Sequence, residues 1–552
     1  MKKKSPKNKE KEEKELEDIL KNIELIKTND LLVTYFGNKG YTIYKVSLTE
    51  KILNFIKKEL TVKPFIQNSL IEAKEFPIYQ ESEKKIYVPR FWGIKYFGLP
   101  KSIKISYGSP LDLKFNGQLR DYQENIINSY LKSINLKQQN SALSSALIEL
   151  KCGGGKTIIA LKLIEILKKK TIIFVQKTFL KNQWIERINE FLPNARIGTI
   201  QGQIIDIEDK DIVIAMVQSI SMKSYPDSLF DIFGFSIYDE VHHMSSMIFS
   251  NCLKKCNTYY ALGLSATMNR KDGLTCVFKM YLGEICFKSK EDKEENNVLV
   301  KAIEYNIDDD DDYNEVDKDY RGNVKYSTMI SKISNYQFRN DFIINVLENE
   351  LNLNDKQQII LLAHNKSMLF YLSKILNNKP GLTVGFYIGG MKEQDLKQSE
   401  NKKIILATYS MAAEALDIKT LTTLILSTPK SDIIQAVGRI LRQKHTQPLI
   451  VDIVDSHSPF QNQFTKRKSF YNEKNYKIIK TNNSNYINYI KEIKKQKSEE
   501  KLNIEFLHDL YWKELKKHNK NKNKNKNNAA SCSETNDNDN DSQCERKCLI
   551  NI

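Results

Sequence analysis

The sequence predicts an α/β protein with two tandem parallel-sheet domains, a small N-terminal α/β domain and a basic C-terminal extension. The first observation is that short apolar runs alternate with amphipathic helical patterns between residues 119 and 454. Such alternation favours parallel sheets with helices on both faces. The second is that the strand-like runs fall into two groups of five, at 146–150, 171–176, 211–215, 235–239 and 259–264, and then at 357–363, 382–388, 402–408, 421–427 and 448–454. Two similar groups indicate two similar domains.

Five segments are expected in chain order. They are a basic lead-in at 1–28, an accessory domain at 29–108, a first α/β domain at 109–288, a second at 289–475, and a helical, basic segment with a low-complexity tail at 476–552. The lead-in is interpreted as solvated chain or a frayed helix. Runs such as HNKNKNKNKNN in the tail are typical of disordered segments.

The accessory domain is predicted from the strand-like runs LLVTYFG, YTIYKVSL and EKKIYVPRFWGIKYFG, with one helical pattern near 50–60. Within the last run, Val88 to Gly93 combines aromatic residues with an arginine. This combination could contact nucleic acid. The alternative is an aromatic strand packed into the core of its own domain.

Composition limits the class of protein. The chain of 552 residues carries 85 Lys and Arg against 68 Asp and Glu, a net charge of +17. A basic surface suits a phosphate-backbone partner, although a lysine-rich composition from an A/T-rich genome would give the same balance. No run approaches the roughly 18 apolar residues of a membrane span, and the charged N-terminus has no apolar signal core. We therefore expect an intracellular protein with no membrane partner.

The eight cysteines show no disulfide-framework spacing. A reducing compartment is therefore expected, the nucleus or cytoplasm, or a virus factory or virion if the protein is viral. Cys252 and Cys256 lie near His242 and His243, so a zinc site is one alternative for this region. The acidic run at 308–312, inside an interruption of the strand pattern at 288–335, is interpreted as a solvated loop, with a carboxylate metal site as its alternative.

The stretch ALIELKCGGGKTIIALKLIEILK at 146–168 carries the strongest chemical signal. A strand-like run leads into a glycine loop, then Lys156 and Thr157, then a helical pattern. This order predicts a phosphate-binding loop, in which backbone N–H groups and the helix N-terminus face the phosphates. Lys156 would reach the outer phosphates and Thr157 would bind Mg2+. The loop glycines are Gly153, Gly154 and Gly155. The usual first glycine of this motif is replaced by Leu150, so an ordinary strand–helix turn remains the alternative.

Two later strands end in polar residues that would complete this site. The run FGFSIYDEVHH contains a strand ending at Asp239 and Glu240. Asp239 would hold Mg2+, and Glu240 would polarise the attacking water. The run YYALGLSAT brings Ser265 and Thr267 to the carboxyl end of another strand, where open α/β sheets bind ligands.

The second α/β domain contains QAVGRILR at 435–442. If this run is helical, Gln435, Arg439 and Arg442 share one face. A helical face with these polar residues is ordinarily exposed to solvent and has no catalytic role. Beside a phosphate loop, however, the two arginines would act as arginine fingers supplied across a cleft.

Taken in order, these motifs resemble those of the superfamily-two helicases. The set is LRDYQ (119–123), CGGGKT (152–157), VQKTFLKNQW (175–184), MVQS (216–219), DEVHH (239–243), LSAT (264–267), ATYSMAAEALD (407–417) and QAVGRILR (435–442). DEVHH together with GLSATMNRKDGL is most similar to the XPB-type branch. That branch includes the eukaryotic repair and transcription translocase, phage UvsW and helicases of large DNA viruses.

The resemblance implies two RecA-like domains that bind ATP and Mg2+. By the same resemblance, Gln123 would read adenine with Arg120 nearby. Asp417 would touch the ribose, and Gln435 would lie near the outer phosphate. Ala415 stands where many relatives have glycine, so the close approach of that loop is less certain.

The resemblance also assigns coupling and nucleic-acid contacts. His242 would link the nucleotide site to the second domain, which explains this residue better than zinc. Ser265 and Thr267 would couple hydrolysis to strand movement. The residues implied to contact the nucleic-acid backbone are Lys177, Thr178, Gln218, Ser219 and Thr408.

The implied function is an ATP-dependent helicase or translocase that moves along DNA, in transcription or repair, as a monomeric motor. An RNA helicase has nearly the same motifs and is the main alternative. Two others are a double-strand translocase that remodels protein–DNA complexes without unwinding, and a non-hydrolysing nucleic-acid-binding scaffold. The transcription or repair machinery would be its protein partner.

Overall fold

The computed structural model describes most of the first 495 residues. The described ranges are 6–28, 31–65, 73–134, 143–151, 153–270, 272–289, 297–307, 310–414, 416, 418–443 and 445–495. The low-complexity tail, Ala415, Asp417 and the first two residues of the acidic run lie outside them. The chain divides into two compact units, Met1–Asp292 and Lys293–Ile552. No helix in the described ranges combines the length and apolar character that a membrane crossing requires.

The N-terminal part of the first unit is a small α/β structure. Its elements are α1 (Pro6–Thr28), β1 (Thr34–Gly37), β2 (Gly40–Tyr44), α2 (Glu50–Glu59), β3 (Thr61–Val62), β4 (Phe76–Pro77), β5 (Gln80–Glu81), β6 (Lys85–Val88), α3 (Arg90–Phe97) and β7 (Ser102–Ile103). A five-stranded sheet has the order β5-β6-β2-β1-β7. Much of the lead-in is therefore helical, and α1 buries Ile23 to 2% exposure.

The prediction of a strand through Val88 to Gly93 is wrong beyond its first residue, because α3 begins at Arg90. The side chains of Arg90 and Trp92 are each only 3% exposed. Trp92 belongs to the same hydrophobic cluster as Leu147 and Phe174 of the next sheet. The alternative is right that this segment packs into a core, but the segment does so as a helix and in a core shared with the next sheet.

The rest of the first unit is a parallel α/β sheet. Its elements are α4 (Asp121–Ser133), β8 (Ser145–Glu149), α5 (Lys156–Leu167), β9 (Thr171–Val175), α6 (Thr178–Phe191), β10 (Ile197–Gln201), β11 (Ile204–Asp206), β12 (Ile212–Met216), α7 (Val217–Met222), β13 (Phe235–Tyr238), α8 (Ser250–Lys255), β14 (Tyr260–Ser265), α9 (Thr275–Leu282) and β15 (Ile285–Lys288). The strand order is β11-β10-β12-β9-β13-β14-β8-β15. All five predicted strands are present. Three strands are additional: β11 and β15 at the two edges, and β10 between β11 and β12.

The second unit has the same architecture. Its elements are β16 (Leu299–Tyr305), α10 (Asp311–Asn314), α11 (Tyr326–Asn335), α12 (Gln337–Leu353), β17 (Ile359–Ala363), α13 (Lys366–Leu376), β18 (Val384–Tyr387), α14 (Glu393–Glu400), β19 (Ile404–Thr408), α15 (Tyr409–Glu414), β20 (Thr423–Leu426), α16 (Ile434–Ile440), β21 (Leu449–Asp455), α17 (Ser458–Glu473), β22 (Lys477–Asn482) and α18 (Asn483–Lys495). The strand order is β18-β19-β17-β20-β21-β16-β22. Two parallel-sheet domains of the RecA-like type are therefore confirmed.

Two sequence expectations for this unit need correction. The strand pattern is not interrupted throughout 288–335, because this stretch contains β16, which pairs along its length with β21. The segment from 476, expected to be helical, instead begins with β22, which pairs with β16 at the sheet edge. The lysines that flank the apolar residues of β22 give its sequence the character of a basic helix, and helix α18 follows it.

A buried ion pair stabilises the second unit. Arg339 and Asp455, both fully buried, pair through two nitrogens. The hydroxyl of Tyr313 donates to the same carboxylate over 2.6 Å. Asp310, the first described residue of the acidic run, accepts from the backbone N–H of Tyr313 at 2.8 Å. The run therefore starts a short helix that anchors Tyr313. The described residues contain no group of three or more metal-ligating side chains, so they do not support a carboxylate metal site.

Candidate active site

The phosphate loop lies between β8 and α5, at the carboxyl edge of the first parallel sheet. Gly153 and Gly155 have φ values of +76° and +84°, a left-handed conformation that favours glycine. A Cβ on Gly154 would lie 2.7 Å from Leu150 Cγ. Leu150 is itself 3% exposed. The leucine that replaces the usual first glycine thus packs beneath the loop, and only a glycine fits above it.

Lys156, the first residue of α5, meets Glu240 just after β13. Its Nζ atom lies 2.6 Å from Glu240 Oε1. Burial alone would raise the pKa of Glu240, but the charge of Lys156 and its hydrogen bond outweigh burial and lower the pKa to about 2. Glu240 is therefore ionised at neutral pH. Its backbone adopts φ +46°, an uncommon conformation for a residue with a side chain.

Asp239, next in the chain, is held by two donors. The indole Nε1 of Trp184 donates to Asp239 Oδ2 over 2.9 Å. The backbone N–H of Glu240 donates to Oδ1 over 3.0 Å. Burial raises the pKa of Asp239, against the lowering effect of Lys156. One carboxylate in fixed orientation is what Mg2+ commonly uses beside nucleotide phosphates, so Asp239 and Thr157 fit a nucleotide-bound Mg2+.

The start of α4 packs against the phosphate loop. Gln123 is 3% exposed, and its Oε1 accepts from the backbone N–H of Arg120 over 2.9 Å. A Cβ on Gly155 would lie 2.2 Å from Gln123 Nε2. The hydroxyl of Tyr122 donates to the carbonyl of Gly154 over 3.2 Å. LRDYQ therefore touches the loop itself, whereas its contact with adenine stays a prediction.

A hydrogen-bonded chain continues from Glu240 to the end of β14. His242 Nδ1 lies 2.8 Å from Ser265 Oγ. Ser265 Oγ also accepts from the backbone N–H of Thr267 over 3.1 Å and lies 3.4 Å from Glu240 Oε2. Burial lowers the pKa of His242 to about 4, with a contribution from the neighbouring His243, so the ring is neutral at physiological pH. The residues predicted to couple hydrolysis to movement are thus physically connected to Glu240.

The zinc alternative for this region is not supported. Cys252 and Cys256 are buried in the hydrophobic core. The carbonyl of Cys256 accepts from the hydroxyl of Tyr238 over 2.8 Å. Nowhere in the described ranges do three or more His, Cys, Asp or Glu residues gather as a metal site would need.

Four of the predicted nucleic-acid contacts lie at the ends of two paired strands. Lys177 and Thr178 follow β9, and Gln218 and Ser219 follow β12, its parallel partner. Gln218 Nε2 donates to the carbonyl of Gln176 over 2.7 Å. Ser219 Oγ accepts from a backbone N–H at 2.8 Å. The structure therefore groups the four residues at one edge, although two of their side chains also stabilise the local loops.

One expectation for the second unit, the shared helical face of Gln435, Arg439 and Arg442, is wrong in part. Helix α16 ends at Ile440, so Arg442 lies beyond it and does not share a helical face with Gln435 and Arg439. Arg439 is 6% exposed, and its Nη1 donates to the carbonyl of Leu416 over 2.7 Å. Thr408 ends β19 and is 8% exposed. The arginine-finger role remains a prediction.

Three residues near the site were not assigned roles from the sequence. They are Trp184, which holds Asp239, Tyr122, which holds Gly154, and Arg270, which donates to the carbonyl of His242 and pairs with Asp272. Each belongs to or adjoins a motif quoted above, and this proximity is the signal that could have identified them.

Comparisons with known proteins find two matching family models and several relatives for this chain. Residues 116–270 match the family model described as Type III restriction enzyme, res subunit, and residues 342–444 match the helicase conserved C-terminal domain. A protein of Acanthamoeba polyphaga mimivirus, named as an ATP-dependent RNA helicase, is 33% identical over 462 residues, which span 80% of this chain and 85% of that protein. An African swine fever virus protein with the same naming is 27% identical over 361 residues, spanning 60% of this chain and 69% of its own.

Among solved structures, T4 UvsW matches with 18% identity and a TM-score of 0.32, covering 82% of this chain and 99% of that chain. The two family models fall on the two sheets described above, one on each. The mimivirus relative passes through both and extends over most of the chain. The protein therefore belongs to the superfamily-two helicases, ATP-dependent enzymes that in this case resemble those of large DNA viruses and phages.

Proposed function

We propose that this ATP-dependent helicase couples ATP hydrolysis to movement along DNA. The observation that supports the catalytic part most strongly is the cluster of Lys156, Glu240 and Asp239 at one sheet edge, with Lys156 Nζ 2.6 Å from Glu240. In the proposed cycle, Lys156 and the loop N–H groups bind the phosphates. Asp239 and Thr157 would hold Mg2+, which would neutralise charge on the phosphates when bound.

Glu240 positions the attacking water in this proposal. Contact with Lys156 lowers the pKa of Glu240 and keeps it ionised before nucleotide binds. When Lys156 turns to the phosphates, the Glu240 carboxylate loses this partner and can accept a hydrogen bond from water instead. The chain from Glu240 through His242 to Ser265 offers a route by which loss of the γ-phosphate alters the loop after β14. The two arginines of the second unit complete the site by analogy with the family.

The resemblance of DEVHH and GLSATMNRKDGL to the XPB-type branch supports DNA as the nucleic acid along which the protein moves. The same resemblance supports a role in transcription or repair. RNA is the second candidate, because the mimivirus and African swine fever virus relatives are named as RNA helicases. Backbone contacts dominate either kind of binding, so we expect weak sequence preference and steep salt dependence.

The test is an ATPase comparison on the full chain with single- and double-stranded DNA and RNA at one fixed salt concentration. Lys156→Ala and Glu240→Gln should each lower stimulated turnover at least about 100-fold without changing the melting temperature greatly. Lys162→Ala is the matched control, since Lys162 lies on the same helix but pairs with Glu165. An unchanged ATPase rate in either site variant contradicts the catalytic assignment. Stronger stimulation of ATP hydrolysis by RNA than by DNA contradicts DNA as the substrate.

A further inference from the structure

The five-stranded N-terminal sheet has one fully packed face and one partly exposed side. Phe36, Ile43 and Ile86 lie on the packed face and are at most 1% exposed. Because successive strand residues point to opposite faces, their neighbours in sequence point to the other side. We name that side the tyrosine–lysine face. Its members are Tyr35, Tyr44, Lys85, Tyr87 and Lys104.

Strand register arranges the three tyrosines in a compact group. Thr42 pairs with Tyr35 on one side and with Tyr87 on the other. Tyr35 and Tyr87 therefore stand two strands apart, about 9–10 Å, on either side of a small residue. Tyr44 lies opposite Lys85 on the next strand, and its ring centroid is 6.2 Å from that of Tyr35. Each of the three tyrosine side chains is partly exposed.

Lysine ammonium groups lie close to these rings, and Lys85 Nζ also donates to the Tyr35 hydroxyl over 3.2 Å. Lys85 Nζ lies 5.3 Å from the centroid of Tyr35 and 4.8 Å from that of Tyr44. Lys104 Nζ lies 4.6 Å from the Tyr35 centroid, and Lys39 Nζ lies 5.7 Å from that of Tyr87. The rings and cations together form a surface of aromatic planes edged by positive charge.

The nearest described carboxylate on these strands is already neutralised. Glu81 lies 2.7 Å from Lys45 Nζ and 2.9 Å from Lys57 Nζ. These hydrogen bonds lower the pKa of Glu81 despite the small opposing effect of burial. The local balance of charge therefore favours a polyanionic partner.

We propose that the tyrosine–lysine face binds single-stranded nucleic acid by stacking bases on its tyrosines. This proposal rests on the proposed nucleic-acid motor and adds to it a second contact, on the N-terminal sheet. Base–aromatic stacking is sequence-tolerant and stronger than a surface cation–π contact. A base can therefore displace a lysine from a tyrosine ring, and the flexible lysine then pairs with the adjoining phosphate.

Aromatic and lysine residues on a solvated sheet can also serve only to stabilise strand pairing. The positions of the cations distinguish the two roles. Tyr35 has two ammonium groups, those of Lys85 and Lys104, near the same ring centroid. This local concentration of positive charge suits a partner that carries phosphate groups.

The experiment measures binding of fluorescein-labelled 20-mers of dT and of rU to the full chain without nucleotide, at one fixed salt concentration. The Tyr35→Ala/Tyr44→Ala double variant should raise Kd at least about tenfold for single strands. Tyr35→Phe/Tyr44→Phe keeps the rings and should stay within about twofold of the parent. An equal loss for dT and rU indicates stacking alone, and a larger loss for one of them identifies the strand that the face prefers.

Two readouts separate this proposal from the motor assignment. The alanine variant should keep its basal ATPase rate, while the polynucleotide concentration for half-maximal stimulation rises. Photo-cross-linking of bromouridine oligonucleotides should label peptides containing Tyr35, Tyr44 or Tyr87. Unchanged Kd in the alanine variant, with a normal melting temperature, overturns the proposal even if ATPase is stimulated, and assigns the face to strand pairing or to a protein partner. Cross-linking at the face without stimulated ATPase supports it and contradicts the motor instead.

Discussion

Trp184 is predicted to set the orientation of Asp239, the carboxylate that we propose binds Mg2+. Its side chain is 2% exposed, and its indole N–H donates to Asp239 Oδ2 over 2.9 Å. Trp184→Phe keeps an aromatic ring but removes the donor. A hydrogen bond to an ionised group contributes about 1.5–3 kcal/mol. Removing a hydrogen-bond donor that orients a metal-binding side chain typically lowers metal affinity or activity about 10- to 100-fold.

The measurement is ATPase rate against Mg2+ concentration, with a melting curve for each variant. Trp184→Phe should raise the Mg2+ concentration for half-maximal activity by about tenfold or more. Trp92→Phe is the matched control, because Trp92 is 3% exposed and its indole N–H has no hydrogen-bond partner within the described part of the chain. Both variants lose similar buried surface, so their difference isolates the hydrogen bond. Indistinguishable Mg2+ dependence in the two variants would refute the reasoning.

Three further changes test other parts of the structure. Gly155→Ala should raise the KM for ATP at least about tenfold, since its Cβ would meet a glutamine amide at 2.2 Å, whereas Gly381→Ala, also at positive φ but with nothing within 4 Å, should not. Asp455→Asn should lower the free energy of unfolding in urea by about 3–5 kcal/mol, because it leaves the Arg339 charge buried. Burial alone would raise the pKa of Asp211, but its half-exposed arginine partner outweighs burial and lowers it. The folded pKa is thus below the unfolded one, so Asp211→Asn should cost about 1 kcal/mol at pH 7 and progressively less below about pH 4 in thermal melts.

The sequence predicts which segments form the strands of both sheets better than it predicts which strands pair with each other. Buried strands such as Ile212–Met216 are continuous apolar runs, and such runs are visible without any structure. Edge strand β22 was missed because lysine and threonine interrupt its apolar residues, so its strand character depends on pairing with β16. Helix α3 was missed because its aromatic residues favour strands, while packing against α9 and the core overrides that preference.

The candidate active site shows the same limit of sequence-based prediction. The loop glycines, Lys156 and Glu240 follow from local motifs, because their chemistry requires those residues at those chain positions. The role of Trp184 depends on β9 lying beside β13 in the sheet, which is a matter of strand order. No local pattern encodes that neighbour relation. Contacts between neighbouring strands are therefore where the structure adds most to the sequence.

The N-terminal sheet is expected to move with the nucleotide-binding sheet. Arg90, at the start of α3, donates to the carbonyls of Tyr259 at 3.0 Å and Thr258 at 3.5 Å, just before β14. Burial lowers the pKa of Arg90 to about 9, so removing these acceptors would leave a buried charge at considerable cost. The opposite end of β14 carries Ser265, which bonds to His242 beside Glu240. Because one strand joins the Arg90 contact to the hydrolysis site, bases held on the tyrosine–lysine face would keep a fixed position relative to the phosphate loop during turnover.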